Sequence, residues 1–113
     1  MQRQFRLTRS TDFKRVRRDG KSNAHPLVVL IALENQQSTT RVGVAAGRSV
    51  GNAVKRNRAK RLIRAAARDL HPQIKTGWDI VFIARAPIIQ VKMPQVRDAL
   101  QNLLQRAHLF DDA

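Results

Sequence analysis

Apolar residues recur at helical spacing in two long segments of this 113-residue chain. After Asn52, a step of 100° per residue brings the apolar residues into one sector of roughly 100°, and these are Ala59, Leu62, Ile63, Ala66 and Leu70. After Pro94, which suits the first turn of a helix, the same spacing unites Val96, Leu100, Leu103, Leu104 and Ala107. Each segment is predicted to be a helix with one buried face. A shorter helix is predicted between Ser10, a favourable N-cap, and Gly20, which suits a helix end.

Three short apolar runs between these helices predict strands. Residues 27–33 are seven consecutive apolar residues, which is typical of a buried strand. Residues 41–46 and 80–84 form the other runs, and the polar residues 34–40 suggest that the first two strands pair as a hairpin. Residues 21–24 leave room for one more short strand. The order α-β-β-β-α-β-α predicts an α/β fold, an α+β two-layer sandwich in which helices cover one face of a small, mostly antiparallel sheet.

Length and composition indicate one domain over residues 1–113, since 42% hydrophobic content in periodic segments suffices for a modest core. Residues 1–9 are interpreted as a basic arm that closes on the domain, and residues 110–113 as a frayed tail. The absence of cysteine excludes disulfides and thiolate metal sites. No apolar run approaches about 18 residues and no secretory signal pattern occurs, so a cytoplasmic location without membrane contact is expected.

Basic residues are concentrated in the first part of the chain. Residues 1–68 contain 17 lysines and arginines against three acids, whereas residues 69–113 contain five of each. The formal net charge of +14 therefore comes entirely from the first part. Such asymmetry is typical of a protein in which particular elements bind a polyanion.

The strongest concentration lies in residues 52–68, where seven of seventeen residues are basic and none is acidic. Like charges three or four residues apart repel one another along a helix, so this face favours an anionic partner. Nucleic acid is favoured over a membrane, because the helix has no Trp or Phe that would anchor it in a lipid interface. The predicted contact residues are Lys55, Arg56, Asn57, Arg58, Lys60, Arg61, Arg64 and Arg68.

The helix predicted after Ser10 is also basic, and it carries an aromatic residue. Phe13 shares a face with Val16, and the positions around them are Lys14, Arg15, Arg17 and Arg18. Exposed rings stack on unpaired bases, so Phe13 is interpreted either as a core side chain or as a stacking surface.

The glycine-containing loop 47–51 brings Arg48 close to the next helix N-terminus, where anions are favoured.

The sequence shows no set of catalytic residues. His25, His71 and His108 are far apart and lack metal-ligand spacing. Asp79 could approach Asp69, but metal-dependent nucleases gather more carboxylates around their ions. The chain is therefore not expected to be an enzyme by itself.

Several segments resemble a known family. Arg41-Val42-Gly43, followed by residues 50–64 with Arg56-Asn57-Arg58, resembles the signature of the bacterial ribonuclease P protein component. The early helix with Phe13 resembles the family's N-terminal helix, and residues 79–85 resemble a later strand. The resemblance covers most of residues 5–106. It departs at residues 47–49, where the family often has a Ser-Lys-Lys-like stretch, and at Arg17, where a second aromatic is common.

The resemblance implies an RNA-based endonuclease that removes the 5′ leader of precursor tRNA, with this chain as its accessory subunit. The basic residues of the second helix would contact the catalytic RNA. A cleft between the first helix and the sheet would hold the single-stranded leader, with contacts from Arg9, Phe13, Arg17 and Arg48. The holoenzyme would require Mg²⁺ held mainly by RNA, with one protein per RNA. The family fold also implies a left-handed crossover through the second helix, against the usual right hand.

Composition alone leaves one alternative open, a structural RNA-binding protein such as a ribosomal component. The signature between residues 41 and 64 favours the ribonuclease P subunit, because a generic ribosomal protein has no reason to carry it. A self-contained nuclease would require a cluster of carboxylates or histidines that this sequence lacks.

Overall fold

The computed structural model describes residues 1–111, in which three helices and four strands follow the predicted order. Short 3₁₀ turns occupy Arg3–Phe5, Arg48–Val50, His71–Gln73 and Ala86–Gln90. The main elements are α1 (Ser10–Asp19), β1 (Lys21–Ala24), β2 (Val28–Glu34), β3 (Arg41–Ala46), α2 (Ala53–Leu70), β4 (Trp78–Ala84) and α3 (Met93–Arg106). Ser10 is the first residue of α1 rather than its cap, and no side chain caps this helix.

The four strands form one sheet in the order β1-β2-β4-β3. β1 pairs with β2 and β2 with β4 in antiparallel fashion, whereas β3 runs parallel to β4. The predicted hairpin between β2 and β3 is therefore wrong, because β4 lies between them. All seven residues of β2 pair with β4, and these two apolar strands together form the buried centre of the sheet.

The parallel pair β3 and β4 is joined through α2, which makes this segment a βαβ unit. A connection of this kind needs a crossover of a dozen or more residues, and the 18-residue α2 supplies it. The left hand expected for the crossover stays a prediction.

Helices lie on both faces of the sheet. Val28, Leu30, Ile80 and Phe82 pack with buried residues of α2 and α3 into the larger core. Side chains alternate along a strand, so the intervening residues face the other way, and there Ile31 and Val81 pack with Val16 of α1 and Leu7 of the arm. The expectation that all helices cover one face is thus wrong for α1, which forms a small second core.

Both ends of the described chain are attached to the fold. In the arm, Leu7 is buried and its backbone N–H donates to the carbonyl of Val42 at 2.9 Å, at the edge of the sheet. At the other end, Phe110 bridges Ile74, and the N–H of Asp111 donates to the carbonyl of Gln73 at 2.9 Å. The tail expected to be frayed is therefore paired at residues 110 and 111, and residues 112–113 lie outside the described part.

One buried carboxylate connects α1 to two strands. Asp79 of β4 is fully buried and accepts hydrogen bonds from Arg41 Nε at 2.9 Å and Nη2 at 2.8 Å, from Asn35 Nδ2 at 2.9 Å, and from Arg15 Nη2. Arg15 also pairs with Asp12 one turn earlier in α1. Burial raises the pKa of the Asp79 carboxyl, but the hydrogen bonds from Arg41, Asn35 and Arg15 outweigh it and hold the pKa below its ordinary value.

Replacing this carboxylate with an amide should destabilise the fold. Asp79→Asn removes the anion that Arg15 and Arg41 share and leaves two guanidinium groups close together. We expect the free energy of unfolding to fall by about 3 kcal/mol, the lower end of the range for a broken buried pair. The lower end applies because the two arginine side chains retain 33% and 23% exposure. Urea unfolding at pH 7 measures the change.

Asp69→Asn is the matched control, since Asp69 pairs with Arg97 and both side chains are nearly half exposed. Its effect should stay within about 0.5 kcal/mol.

A lowered folded-state pKa means that the contribution of Asp79 to stability is complete above the unfolded pKa of about 3.9 and disappears as the pH falls through the folded pKa. The stability difference between wild type and Asp79→Asn should therefore be constant at neutral pH and shrink below about pH 4. Equal losses for the two variants would contradict this account.

Candidate nucleic-acid interface

The predicted basic face of α2 is on the surface. Side chains of the opposite face are buried in the larger core, namely Ala59, Ile63, Ala66, Ala67 and Leu70. Leu62, predicted for the same apolar face, is only half-buried. The helix begins after Asn52, whose side chain accepts a hydrogen bond from the Lys55 backbone N–H at 3.0 Å. Burial of the apolar face thus orients the cationic face outward.

The cations of α2 lack acidic partners within residues 1–111, where every ion pair involves other arginines. Lys55, Asn57, Arg61, Arg64 and Arg68 are exposed, whereas Arg56, Arg58 and Lys60 are half-buried. The structure therefore leaves most of the predicted contact residues accessible to an anion.

Arg58 differs from its neighbours on α2. Its Nη2 donates to the carbonyl of Val91 at 3.2 Å, in the segment that leads into α3. Sequence reasoning assigned Arg58 to RNA contact alone, because a backbone carbonyl 33 residues away leaves no signal in the local pattern. This arginine helps to hold α2 against the entry to α3.

A groove of about 540 Å³ lies at the outer edge of β3, between the arm, α1 and α2. Arg61, Arg64 and Arg68 line its α2 side, and Phe13 lines its α1 side. The remaining lining residues are Met1, Arg6, Leu7, Thr8, Val42, Gly43, Val44 and Ala65. The structure thus brings the predicted aromatic residue of α1 and three cations of α2 to one site.

The floor of this groove depends on Gly43. A Cβ atom at Gly43 would lie 2.6 Å from Cζ of Phe13, so the glycine allows the ring to lie directly over the strand. Phe13 packs against the second core and is half-buried. The two interpretations of Phe13 are therefore compatible, since one side of the ring packs inward while the ring lines the groove.

The other predicted leader residues lie outside the lining of this groove. Arg9 precedes α1, Arg17 is on α1, and Arg48 is in the short turn before α2, and all three are exposed. The structure also adds residues that sequence reasoning missed. Arg6 lines the groove, and Val54 is 74% exposed beside Asn57, Arg61 and Arg64 in a neighbouring hollow of about 490 Å³. The basic composition of the arm was the available signal for Arg6.

Asp69, Asp79, His25 and His71, which were considered for catalysis, have other partners. Asp79 binds two arginines and Asp69 pairs with Arg97, so the two carboxylates considered for a metal pair are used separately. His25 Nδ1 accepts the Leu27 N–H at 3.1 Å. Within residues 1–111 no group of three His, Cys, Asp or Glu residues could hold a metal ion.

None of the helices in the described chain is long and apolar enough to cross a membrane.

The fold and this surface define a small α/β nucleic-acid-binding protein, with an acid-free cationic helix beside an aromatic-lined groove. Comparison with known proteins is consistent with that class. The family model described as Ribonuclease P matches residues 1–108. A ribonuclease P protein component from Herpetosiphon aurantiacus is 42% identical over 112 residues, covering 99% of this chain and 91% of the relative. Another from Roseiflexus castenholzii is 41% identical over 114 residues, covering 100% and 93%.

Solved structures of the same kind share the fold. The RNase P protein of Staphylococcus aureus aligns with a TM-score of 0.84 at 30% identity, covering 95% of this chain and 98% of that one. The RNase P protein of Thermotoga maritima, solved in complex with 1-(4-fluorophenyl)-2-thiourea, aligns with a TM-score of 0.81 at 33% identity, covering 89% and 98%.

The chain therefore belongs to the ribonuclease P protein family. It is an accessory protein subunit of this endoribonuclease, which acts in 5′ processing of tRNA, and its partner in the complex is RNA. The family's dependence on metal ions resides in that RNA. The predicted family, the mixed α/β fold class and the role as a ribonuclease P subunit in tRNA 5′ processing are confirmed, and the ribosomal alternative is not favoured.

Proposed function

We propose that this subunit contacts the catalytic RNA through the exposed face of α2 and holds the single-stranded leader of precursor tRNA in the groove beside Phe13. The observation that carries this proposal is the shared groove, which one aromatic ring and three arginines line together. Stacking surfaces next to cations are the usual means of binding single-stranded nucleic acid without base selection. Arg61, Arg64 and Arg68 lie where the two surfaces meet, so they can serve both RNAs.

The charge of the subunit explains how it assists an RNA catalyst. Precursor tRNA and the catalytic RNA are both polyanions, and their close approach forces phosphates together. A protein of net charge +14 placed between them offsets this repulsion and releases counterions from both RNAs. Mg²⁺ bound mainly by the RNA would then be needed at lower concentration for the same activity.

Contacts in the groove favour substrate over product. The leader is present in precursor tRNA and absent from mature tRNA, so an interaction with it strengthens substrate binding alone. Phosphate and stacking contacts carry little information about base identity, which suits a subunit that meets leaders of many sequences. Arg9, Arg17 and Arg48 are placed near the ends of the elements that border the groove, where they can extend these contacts.

We further propose one protein per catalytic RNA, in the cytoplasm. The argument for the ratio is that one continuous cationic surface and one aromatic-lined groove on a single chain suffice to contact both RNAs.

Loss of the Phe13 ring should weaken substrate discrimination. In a holoenzyme reconstituted with catalytic RNA, Phe13→Ala should reduce affinity for precursor tRNA by about tenfold, as expected for one lost base stack, with little change for mature tRNA. Equilibrium binding of both tRNAs measures the ratio, and a precursor with a one-nucleotide leader is the internal control. Equal losses for precursor and mature tRNA would contradict a leader site at Phe13. Site-specific cleavage by the protein without RNA would contradict the accessory role.

The first turns of α2 should contribute to assembly rather than to stability. Lys55→Ala with Arg56→Ala should weaken binding to the catalytic RNA and lower the salt dependence by roughly 0.7 to 0.9 per lost phosphate contact, without changing the unfolding midpoint. Arg97→Ala removes the same type of charge from α3 and should leave RNA affinity unchanged. Arg58→Ala should weaken RNA binding too, but it should in addition lower the free energy of unfolding by about 1 kcal/mol, because the hydrogen bond to the Val91 carbonyl is lost. Unaltered salt dependence in the double variant would refute this assignment.

A further inference from the structure

A third hollow, of about 440 Å³, lies where α2 ends and the arm crosses it. Its lining residues are Met1, Gln2, Phe5, Arg68, His71 and Pro72. It shares Met1 and Arg68 with the groove beside Phe13, so the two sites adjoin. Neither the sequence pattern nor the leader groove accounts for it.

Two aromatic rings form one wall of this hollow. The ring centroids of Phe5 and His71 are 4.5 Å apart, with an angle of 41° between the planes. His71 Nε2 lies 2.8 Å from the carbonyl oxygen of Thr40. A carbonyl can only accept, so Nε2 carries the hydrogen and donates it, which fixes the orientation of the imidazole. Both rings are half-buried, so each retains an accessible part.

The charge of the hollow is positive. Arg68 is exposed and lies one helical turn before His71, while no acidic residue is among the lining residues. Arg68 has no acidic partner within residues 1–111. A ligand that fits must present a flat π surface to the rings and an anion to the guanidinium, which are the two parts of a nucleotide.

We propose that the hollow formed by Phe5, His71 and Arg68 binds one unpaired nucleotide of RNA, with its base against the rings and its phosphate on Arg68. This inference rests on the proposed function, because the hollow continues the surface assigned to RNA. The nucleotide comes either from the catalytic RNA or from the leader of precursor tRNA, and both present the same chemistry to the site.

The test compares three substitutions in the full chain. Phe5→Leu keeps an apolar side chain to anchor the arm but removes the π surface, whereas Phe5→Tyr keeps the ring. Gln73→Ala changes an exposed residue next to Pro72 that does not line the hollow, and it serves as the control. Affinities are measured for the catalytic RNA alone, and for precursor and mature tRNA on the assembled holoenzyme, with the unfolding midpoint of each protein recorded.

Phe5→Leu should lower affinity by about tenfold for one of the RNAs. Phe5→Tyr should lose less RNA affinity, and the two variants should have similar unfolding midpoints. A loss on the catalytic RNA assigns the nucleotide to that molecule, and a loss on precursor but not mature tRNA assigns it to the leader. Wild-type affinity of Phe5→Leu for all three RNAs would overturn the proposal, as would equal losses for the Leu and Tyr variants. Phe13→Ala in the same assay separates this outcome from failure of the leader groove itself.

Discussion

The ion-pair cluster at Asp79 is the interaction on which the arrangement of the RNA-binding surface depends. A carboxylate with no exposure in the central strand is stable as an anion only because Arg41, Asn35 and Arg15 bind it. Arg41 belongs to β3 and Arg15 to α1, so one buried charge fixes the helix against the sheet. The second core beneath α1 is small. The position of α1 therefore depends more on this ion-pair cluster than it would if α1 packed on a larger core.

The position of α1 in turn determines the shape of the groove. Phe13 is two residues from Arg15 and rests over Gly43 of β3, on the face opposite α2. Because β3 is the edge strand, the groove passes around this edge and reaches Arg61, Arg64 and Arg68 on the other side. Three adjoining hollows therefore follow α2 from Val54 to His71. Burial of the apolar face of α2 offsets the repulsion among the cations on its other face. A bound RNA would neutralise these cations and so remove the repulsion.

Local patterns in the sequence predicted most elements of the fold, since periodicity and charge are recorded residue by residue. The amphipathic character of α2, the strand at residues 41–46 and the short strand at residues 21–24 were all recognisable in this way. Strand pairing was not, because the insertion of β4 between β2 and β3 depends on contacts across more than 30 residues. The same holds for the bond from Arg58 to Val91 and for the pairing of Phe110 with Ile74. Gly43 was noted only as part of a motif, and its role beneath Phe13 required the packing of α1.

The most direct measurement of where each RNA lies uses the absence of cysteine from the chain. A single cysteine in place of an exposed residue can carry an iron chelate that cleaves nearby RNA with hydroxyl radicals. The suitable exposed positions are Lys14 on α1, Ala53 at the start of α2 and Gln101 on α3. In a holoenzyme bound to precursor tRNA, Lys14→Cys should cleave the leader, Ala53→Cys the catalytic RNA, and Gln101→Cys neither. Cleavage of the tRNA body or the catalytic RNA from position 14, with the leader untouched, would contradict the account.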